Sequence, residues 1–548
     1  MTTTEQGPVI SPAERKGALV GVLLALFMAA LDQTIVSTAT PMIIKDLAFP
    51  TNWITWLTTS YLVTSTALLP IWGKLSDLYG RRPMLMWGLG IFVVASVLCG
   101  LSQTPLQLVI FRAMQGAGSA AIFANAFAVV GDLFEPRDRP KYQGLFGAMF
   151  GLSSVIGPWI GGLLTDYISW HWVFLVNVPV GGVAMWFIYK RMPLLRHTTG
   201  QQIDFYGAAL LLLSVVPLLI ALSLAPVSYA WNSLEILSMF ALSFLATFVF
   251  IRHELKHDGA ILDLDLFKDR AFSLTALASF SLGAVFLGSI VFIPLYMVNV
   301  LGVSATSSGA TLTPLTLGLV FGNVVSGQLV SRIGSYKPVL IPSLVVLMLS
   351  YLWLALTLDA DQTQLNVIIK LVVLGMALGP TIPLYTQMMI NTAPRKKMGV
   401  ASSSATFVRQ MGSSMGLAFL GTVFSAHLAM GFATQIEPQI PAQFKVALTS
   451  DMSAEEAQSH TKSQAASFDF DQLRRSIQEQ VTEPTAQAQA MAKVDTLQRS
   501  FRVLWADATR QIFWFGFFII VIGLLFTVFI PEVPMGPAQK KPAKEKVA

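Results

Sequence analysis

Asp32 stands inside an uninterrupted apolar run, residues 18–43. A carboxylate in such surroundings is costly and marks a functional site by default. Burial raises its proton affinity and a neighbouring cation lowers it. Such a group can hold a proton or a cationic solute, but not comfortably both. Arg112 lies in a second apolar run, 105–131, with Gln115 and Ser119 following at i+3 and i+7 on one helical face. An arginine there can neutralise Asp32, tune its proton affinity or relay protons. Two further bases interrupt apolar runs: Arg409, set deep, and Lys370, close enough to a run's end to snorkel. Three bases against one acid is an awkward balance for a purely cation-binding cavity, and it leaves room for anionic or lipid-like solutes. Gln33 beside Asp32, with Trp56, Tyr61 and Tyr385, completes the set that can line an adaptable cavity. Aromatic faces attract cations and methionines pack softly around varied shapes.

Other chemistries are missing from the sequence. There is no phosphate-binding glycine loop, no His-Glu-x-x-His and no nucleophile triad. The single cysteine, Cys99, permits neither an intrachain disulfide nor a Cys-based metal site. All six histidines fall in loops or near the ends of apolar runs. The expectation is no catalytic residue, no metal ligand set and no cofactor, with work drawn from a proton gradient.

The elements that must position these residues are membrane helices. Only 12% of the 548 residues are charged, against about 25% in soluble domains. That excludes a soluble enzyme, a disordered chain and a disulfide scaffold. Apolar stretches long enough to cross a bilayer fall near 18–43, 53–72, 84–102, 105–131, 143–165, 169–189, 206–226, 232–251, 272–299, 309–331, 338–357, 365–390, 399–428 and 511–531, fourteen in all. Alternate connecting segments, with both tails on the same side, carry 24 Lys and Arg; the short loops opposite carry only Lys45. That bias places both termini in the cytoplasm. It also explains the net charge of +6, so nucleic acid is not an expected partner. The first run reads as an uncleaved helix rather than a signal peptide. The absence of an Asn-x-Ser/Thr sequon fits a bacterial inner membrane.

One outer segment differs. Residues 429–510 are polar, but Met491, Val494, Leu497, Phe501 and Leu504 recur at helical spacing after Pro484. The pattern predicts a helix running into the last span, one arm of a hairpin that serves as a gate, as a docking site for an envelope partner, or passively.

The chain also repeats itself. Gly73-Lys74-Leu75 through Gly80-Arg81-Arg82-Pro83 parallels Gly327-Gln328-Leu329 through Gly334 to Lys337-Pro338. Pro136-Arg137-Asp138-Arg139 parallels Pro394-Arg395-Lys396-Lys397, again eight spans later. Repeats of this kind build alternating-access transporters with a midplane substrate site. The loop Gly73–Arg82 resembles the signature of the major facilitator superfamily. Leu31-Asp32-Gln33-Thr34-Ile35-Val36 with Ala39 and Pro41, Arg112–Gly118, Gly151–Gly162 and Arg409-Gln410-Met411-Gly412 resemble motifs of its fourteen-span drug:proton antiporters.

The resemblance implies an all-α polytopic fold of two six-helix bundles, 17–190 and 271–428 with 511–531, plus an inserted helix pair, 206–251. The loop 429–510 lies outside, and 1–16 and 532–548 are cytoplasmic tails. It implies proton coupling through Asp32 and Arg112; the residues read as candidate substrate contacts are Asp32, Gln33, Trp56, Tyr61, Gln115, Tyr385 and Arg409. Gating falls to Gly73, Asp77, Gly80, Arg81 and Arg82. Asp77 is expected to cap the helix that follows it, and Arg81 and Arg82 to pair across to the other half. Gly151, Gly157, Pro158, Gly161 and Gly162 form an antiporter element, bent and tightly packed. Asn177-Val178-Pro179 reads as a local bending device. The expected activity is proton-coupled export of amphipathic, cationic drug-like compounds by a monomer in the lipid bilayer. The alternatives are an exporter of lipids or anionic metabolites, or a non-transporting membrane sensor.

Overall fold

The computed structural model describes residues 11–50, 53–195, 203–225, 229–257, 259–303, 305–439, 470, 474–475, 477–478 and 484–533. Among them there are helices and no strands. The first half comprises α1 (Pro12–Asp46), α2 (Trp56–Ala67), α3 (Leu69–Tyr79), α4 (Arg81–Gly100), α5 (Pro105–Leu133), α6 (Arg139–Tyr167), α7 (His171–Leu175) and α8 (Asn177–Arg191). The inserted pair is α9 (Phe205–Leu224) and α10 (Leu234–Glu254). The second half comprises α11 (Arg270–Asn299), α12 (Ala305–Ile333), α13 (Lys337–Thr357), α14 (Gln364–Leu378), α15 (Thr381–Thr392), α16 (Met398–Gly431) and α17 (Pro484–Phe529).

Thirteen of these segments are long and apolar enough to cross a membrane. The fourteenth expected span, 53–72, is α2 and α3 in tandem, each too short alone. Pro70 lies at the N-terminal end of α3, where its missing N–H and fixed φ suit a first turn. The helix expected from Met491 to Leu504 is continuous with the last span as α17, which starts at Pro484. Its apolar stripe, Val494, Leu497, Phe501 and Leu504, is buried in the second half's core. The hairpin's connecting residues 440–469, and the tails 1–10 and 534–548, lie outside the described residues.

Each half has its own core. Leu26, Phe92, Phe123 and Phe146 anchor the first, and Tyr351, Leu374, Phe424 and Phe513 the second. The inserted pair packs Leu211, Val215 and Phe250 against Val63 and Ala67 of α2, with Phe407 and Met411 of α16 alongside. It therefore touches both halves.

The internal repeat has a structural counterpart. Gly80 and Gly334, each seven residues past the first glycine of its loop, both adopt left-handed φ, 99° and 79°, a region open to glycine at little cost. The first glycines are contact points between halves. A Cβ on Gly73 would meet Ser403 and Gly399 of α16, and one on Gly327 would meet Pro140 and Lys141 of α6.

The antiporter-motif glycines divide. A Cβ on Gly157 or Gly161 would press into Thr34, Ile35 or Thr38 of α1, and one on Gly151 into Val320 of α12, whereas Gly162 faces open space. Pro158 sits inside an unbroken α6. Gly157→Ala is therefore expected to lower thermal stability, while Gly162→Ala is neutral or stabilising by up to about 1 kcal/mol. Thermal unfolding of the two purified variants in detergent distinguishes them; equal losses would show that the motif does not act through the α1–α6 contact.

Candidate functional site

Two constellations emerge, one within the first half and one between halves. In the first, Asp32 of α1 is fully buried and accepts three hydrogen bonds. Arg112 Nη1 of α5 donates to Oδ2 at 2.5 Å, and Gln115 Nε2 to Oδ1 at 2.7 Å. Asn177 Nδ2, from the first residue of α8, donates to Oδ1 at 3.1 Å. Ser96 Oγ of α4 accepts from Gln115 and Asn177, at 3.1 and 3.0 Å, and donates to the Phe174 carbonyl at 2.8 Å. Arg112 also donates to Gln115 Oε1 at 2.8 Å and to the Leu57 carbonyl. Its guanidinium carbon lies 4.4 Å from the centroid of the Tyr61 ring, whose hydroxyl donates to Ser119 at 2.7 Å.

The sequence lets α5, which carries Arg112 and Gln115, pack closely on α2 and α4. Small residues allow close approach: Gly116 faces Tyr61 and Thr64 of α2, and Gly118 faces Gly88 and Phe92 of α4. A buried ion pair needs good geometry and satisfied lone pairs to offset its desolvation, and the three donors on Asp32 meet that condition. The site ties one buried carboxylate on α1 to side chains from α4, α5 and α8.

The second constellation joins the halves. Asp77 of α3 accepts backbone N–H bonds from Gly399 and Val400, both at 2.9 Å. These are unsatisfied donors in the first turn of α16, where the helix dipole favours an anion. Arg81 pairs with Asp77 at 2.6 Å and with Asp132 at 2.8 Å. Nearby, Arg139 Nη1 donates to Asn391 Oδ1 at 2.7 Å, Gln143 Nε2 to Gln387 Oε1 at 2.5 Å, and Arg137 Nε to the Ser331 carbonyl at 2.9 Å. Thr66 donates to Gln410 at 2.8 Å. Among the described residues, the hydrogen bonds between halves run from the middle of the bundle to the end bearing the basic loops. That end is closed.

Two expectations are corrected here. Asp77 caps α16 of the opposite half, not the helix that follows it. Arg81 and Arg82 do not pair across: Arg81 bonds Ser76, Asp77 and Asp132, and Arg82 bonds the Met192 carbonyl and lies 4.9 Å from the Tyr189 ring centroid, all within the first half. The reason is geometric. Gly80 turns the chain so that Arg81 points back onto α3 and α5, leaving the shorter carboxylate to meet the incoming helix.

The remaining candidates scatter. Gln33 is exposed next to the buried Asp32. Tyr61 and Gln115 belong to the Asp32 network. Trp56 opens α2, one residue before Leu57, and lines a groove with Trp53, Tyr229 and Glu235. Tyr385 is buried in the second half's core, bonded to Thr527 of α17 at 2.5 Å. Lys370 donates to Thr357 and Gln362 at 2.7 and 3.0 Å and is satisfied at the outer end. Arg409 differs: its Nε is enclosed without a hydrogen-bond partner, and no carboxylate pairs with it among the described residues. Sequence reasoning missed Ser96, Asn177 and Asp132. A lone Asn at the α7–α8 break was the available signal for one of them.

A model described as the Major Facilitator Superfamily matches residues 22–417. The chain is 35% identical over 549 residues to the multidrug transporter protein MdtP of Bacillus subtilis (strain 168), covering 98% of this chain and 97% of that protein. It is 38% identical over 414 residues to multidrug resistance protein 3 of the same organism, covering 75% and 80%. Among solved structures it is similar to the proton:xylose symporter XylE bound to 6-bromo-6-deoxy-D-glucose, with a TM-score of 0.58, 13% identity and coverage of 95% and 97%. That likeness concerns the fold.

Proposed function

The chain belongs to the major facilitator superfamily, and on that premise we propose that it is a proton-coupled antiporter exporting amphipathic, cationic drug-like compounds from the cytoplasm by rocking of its two halves. The observation that carries this reading is the fully buried Asp32–Arg112 pair, ringed by Gln115, Asn177 and Ser96. A proton on Asp32 cancels the charge that holds Arg112, loosens four helices at once, and so ties protonation to conformation. The positive-inside bias supports a cytoplasmic position for the closed end, with Asp77 on the N-terminus of α16 as its latch. The names of the two bacillar relatives support drug-like substrates. The proposed setting is a bacterial inner membrane, with both tails inside and the chain working as a monomer; the outer hairpin is offered to an envelope partner.

A second reading, export of anionic compounds, draws on Arg409. An arginine in a membrane span without a counter-charge is expensive, and an anionic substrate would neutralise it. The two readings separate in proteoliposomes with an imposed pH gradient. Cation export predicts gradient-driven efflux of a lipophilic cationic dye that survives Arg409→Ala. Anion export predicts efflux of an anionic dye, reduced at least about tenfold by Arg409→Ala, since a charged hydrogen-bond partner contributes about 1.5–3 kcal/mol. Saturable dye binding without any flux would leave the sensor reading and reject both.

A further inference from the structure

The inserted pair α9–α10 ends, on the side of the basic loops, in a cluster that the transport reading does not use. Asp204 caps α9, its Oδ1 accepting the Gly207 N–H at 2.8 Å. Its second oxygen, Oδ2, lies 2.6 Å from His253 Nε2 and 3.7 Å from His257 Nδ1. The two histidines stand four residues apart at the end of α10, where i and i+4 share a face. The three ligand atoms lie within 4.8 Å of one another. His257 Nδ1 accepts the Gly259 N–H at 3.0 Å.

A second observation points to a cation. Glu254, only 4% exposed, sits between the histidines in sequence, and its Oε2 is buried without a hydrogen-bond partner. Its Oε1 accepts the Ile261 N–H at 3.0 Å. Both the Asp204 and Glu254 carboxylates would be neighbours of a Cβ on Gly207, so two buried carboxylates share one small volume.

We propose that Asp204, His253 and His257, with Glu254 behind them, form a site for a divalent transition metal such as Zn²⁺ that clips the start of α9 to the end of α10. Two imidazoles with carboxylate oxygen suit zinc, whose bonds run about 2.0–2.2 Å. Binding would replace the Asp204–His253 hydrogen bond, and the half-exposed His257 ring would give up the Gly259 N–H. The clip would also stiffen the chain after α10. There Glu254, His257 and Asp263 wall a cavity of about 460 Å³ shared with Lys74, Asp77 and Lys397. Metal occupancy thus reaches the neighbourhood of the Asp77 latch.

The test is calorimetric titration of Zn²⁺ into the full-length, tag-free protein in detergent, with thermal unfolding in parallel. The expected result is one saturable site and a rise in melting temperature with metal. Affinity should fall at least about tenfold in His253→Ala/His257→Ala. His257→Ala, which removes a half-exposed ring and one hydrogen bond from the Gly259 N–H, should weaken binding while changing the metal-free melting temperature little, so misfolding is not the cause. His427→Ala should bind as the unaltered protein does. Absence of saturable binding, or binding unchanged in the double variant, overturns the proposal.

Discussion

Replacing Asp32 with asparagine is expected to abolish pH-gradient-driven efflux from proteoliposomes. Asparagine can keep a hydrogen bond to Gln115 or Asn177, but it can neither bind nor release a proton. It also leaves the Arg112 guanidinium, 2% exposed, without the carboxylate that it meets at 2.5 Å. Breaking a buried pair by removing one partner costs about 3–5 kcal/mol, because the other charge remains in place. Arg112→Gln should cost a similar amount by stranding Asp32. The double variant Asp32→Asn/Arg112→Gln should then be more stable than the sum of the single losses predicts, by about 1 kcal/mol or more, as expected for residues in direct contact. Flux would remain absent in the double variant, since restoring charge balance does not restore a titrating group. Continued coupling by Asp32→Asn would remove Asp32 from the mechanism. Additive stabilities would show that the pair is not energetically coupled.

Asp77→Ala is expected to open the end that bears the basic loops. Its carboxylate takes two backbone N–H bonds from the first turn of α16 while pairing with Arg81 within its own half. Hydrogen bonds to charged groups contribute about 1.5–3 kcal/mol each. Losing both biases the equilibrium between closed and open states by about 3 kcal/mol or more, a population change beyond 100-fold at 1.4 kcal/mol per decade. Spin labels at Glu135 and Ile333, exposed on opposite halves near the latch, should report a distance distribution shifted to longer values. Gly399→Ala should produce the same shift by a different route. A Cβ there would press into the Asp77 carboxylate and the Arg81 guanidinium, displacing the latch without removing its charge. An unchanged distance distribution in both variants would mean that Arg137, Arg139, Gln143 and Thr66 suffice to keep this end shut.

Much was legible in the sequence because a bilayer is a severe solvent. Every spanning segment must be helical and apolar, so charge became rare enough for each residue inside a span to be examined singly. That reasoning located Asp32 and Arg112, and the structure joins them directly. It also predicted a helix through five apolar residues at helical spacing, which run on into the last span as α17. The family comparison then matched residues 22–417, in agreement with motifs read from residue types alone.

What the sequence could not supply was pairing between distant positions. Asp77 was expected to cap its own neighbour because local hydrogen bonds are all that adjacency reveals; its partners lie more than 300 residues away. Asn177 looked like a bend because nothing local to it is polar, yet its amide completes the Asp32 site. Trp56 and Tyr385 were grouped with the cavity by chemistry and separated by packing, one into a groove and one into a core. Histidines that seemed unremarkable near a span's end meet Asp204 only because α9 and α10 run antiparallel. The sequence by itself determined the solvent, the number of crossings and the identity of the rare charges, since these follow from each residue's own transfer energy. Only the tertiary structure decided which charges meet, since that depends on which helix faces touch.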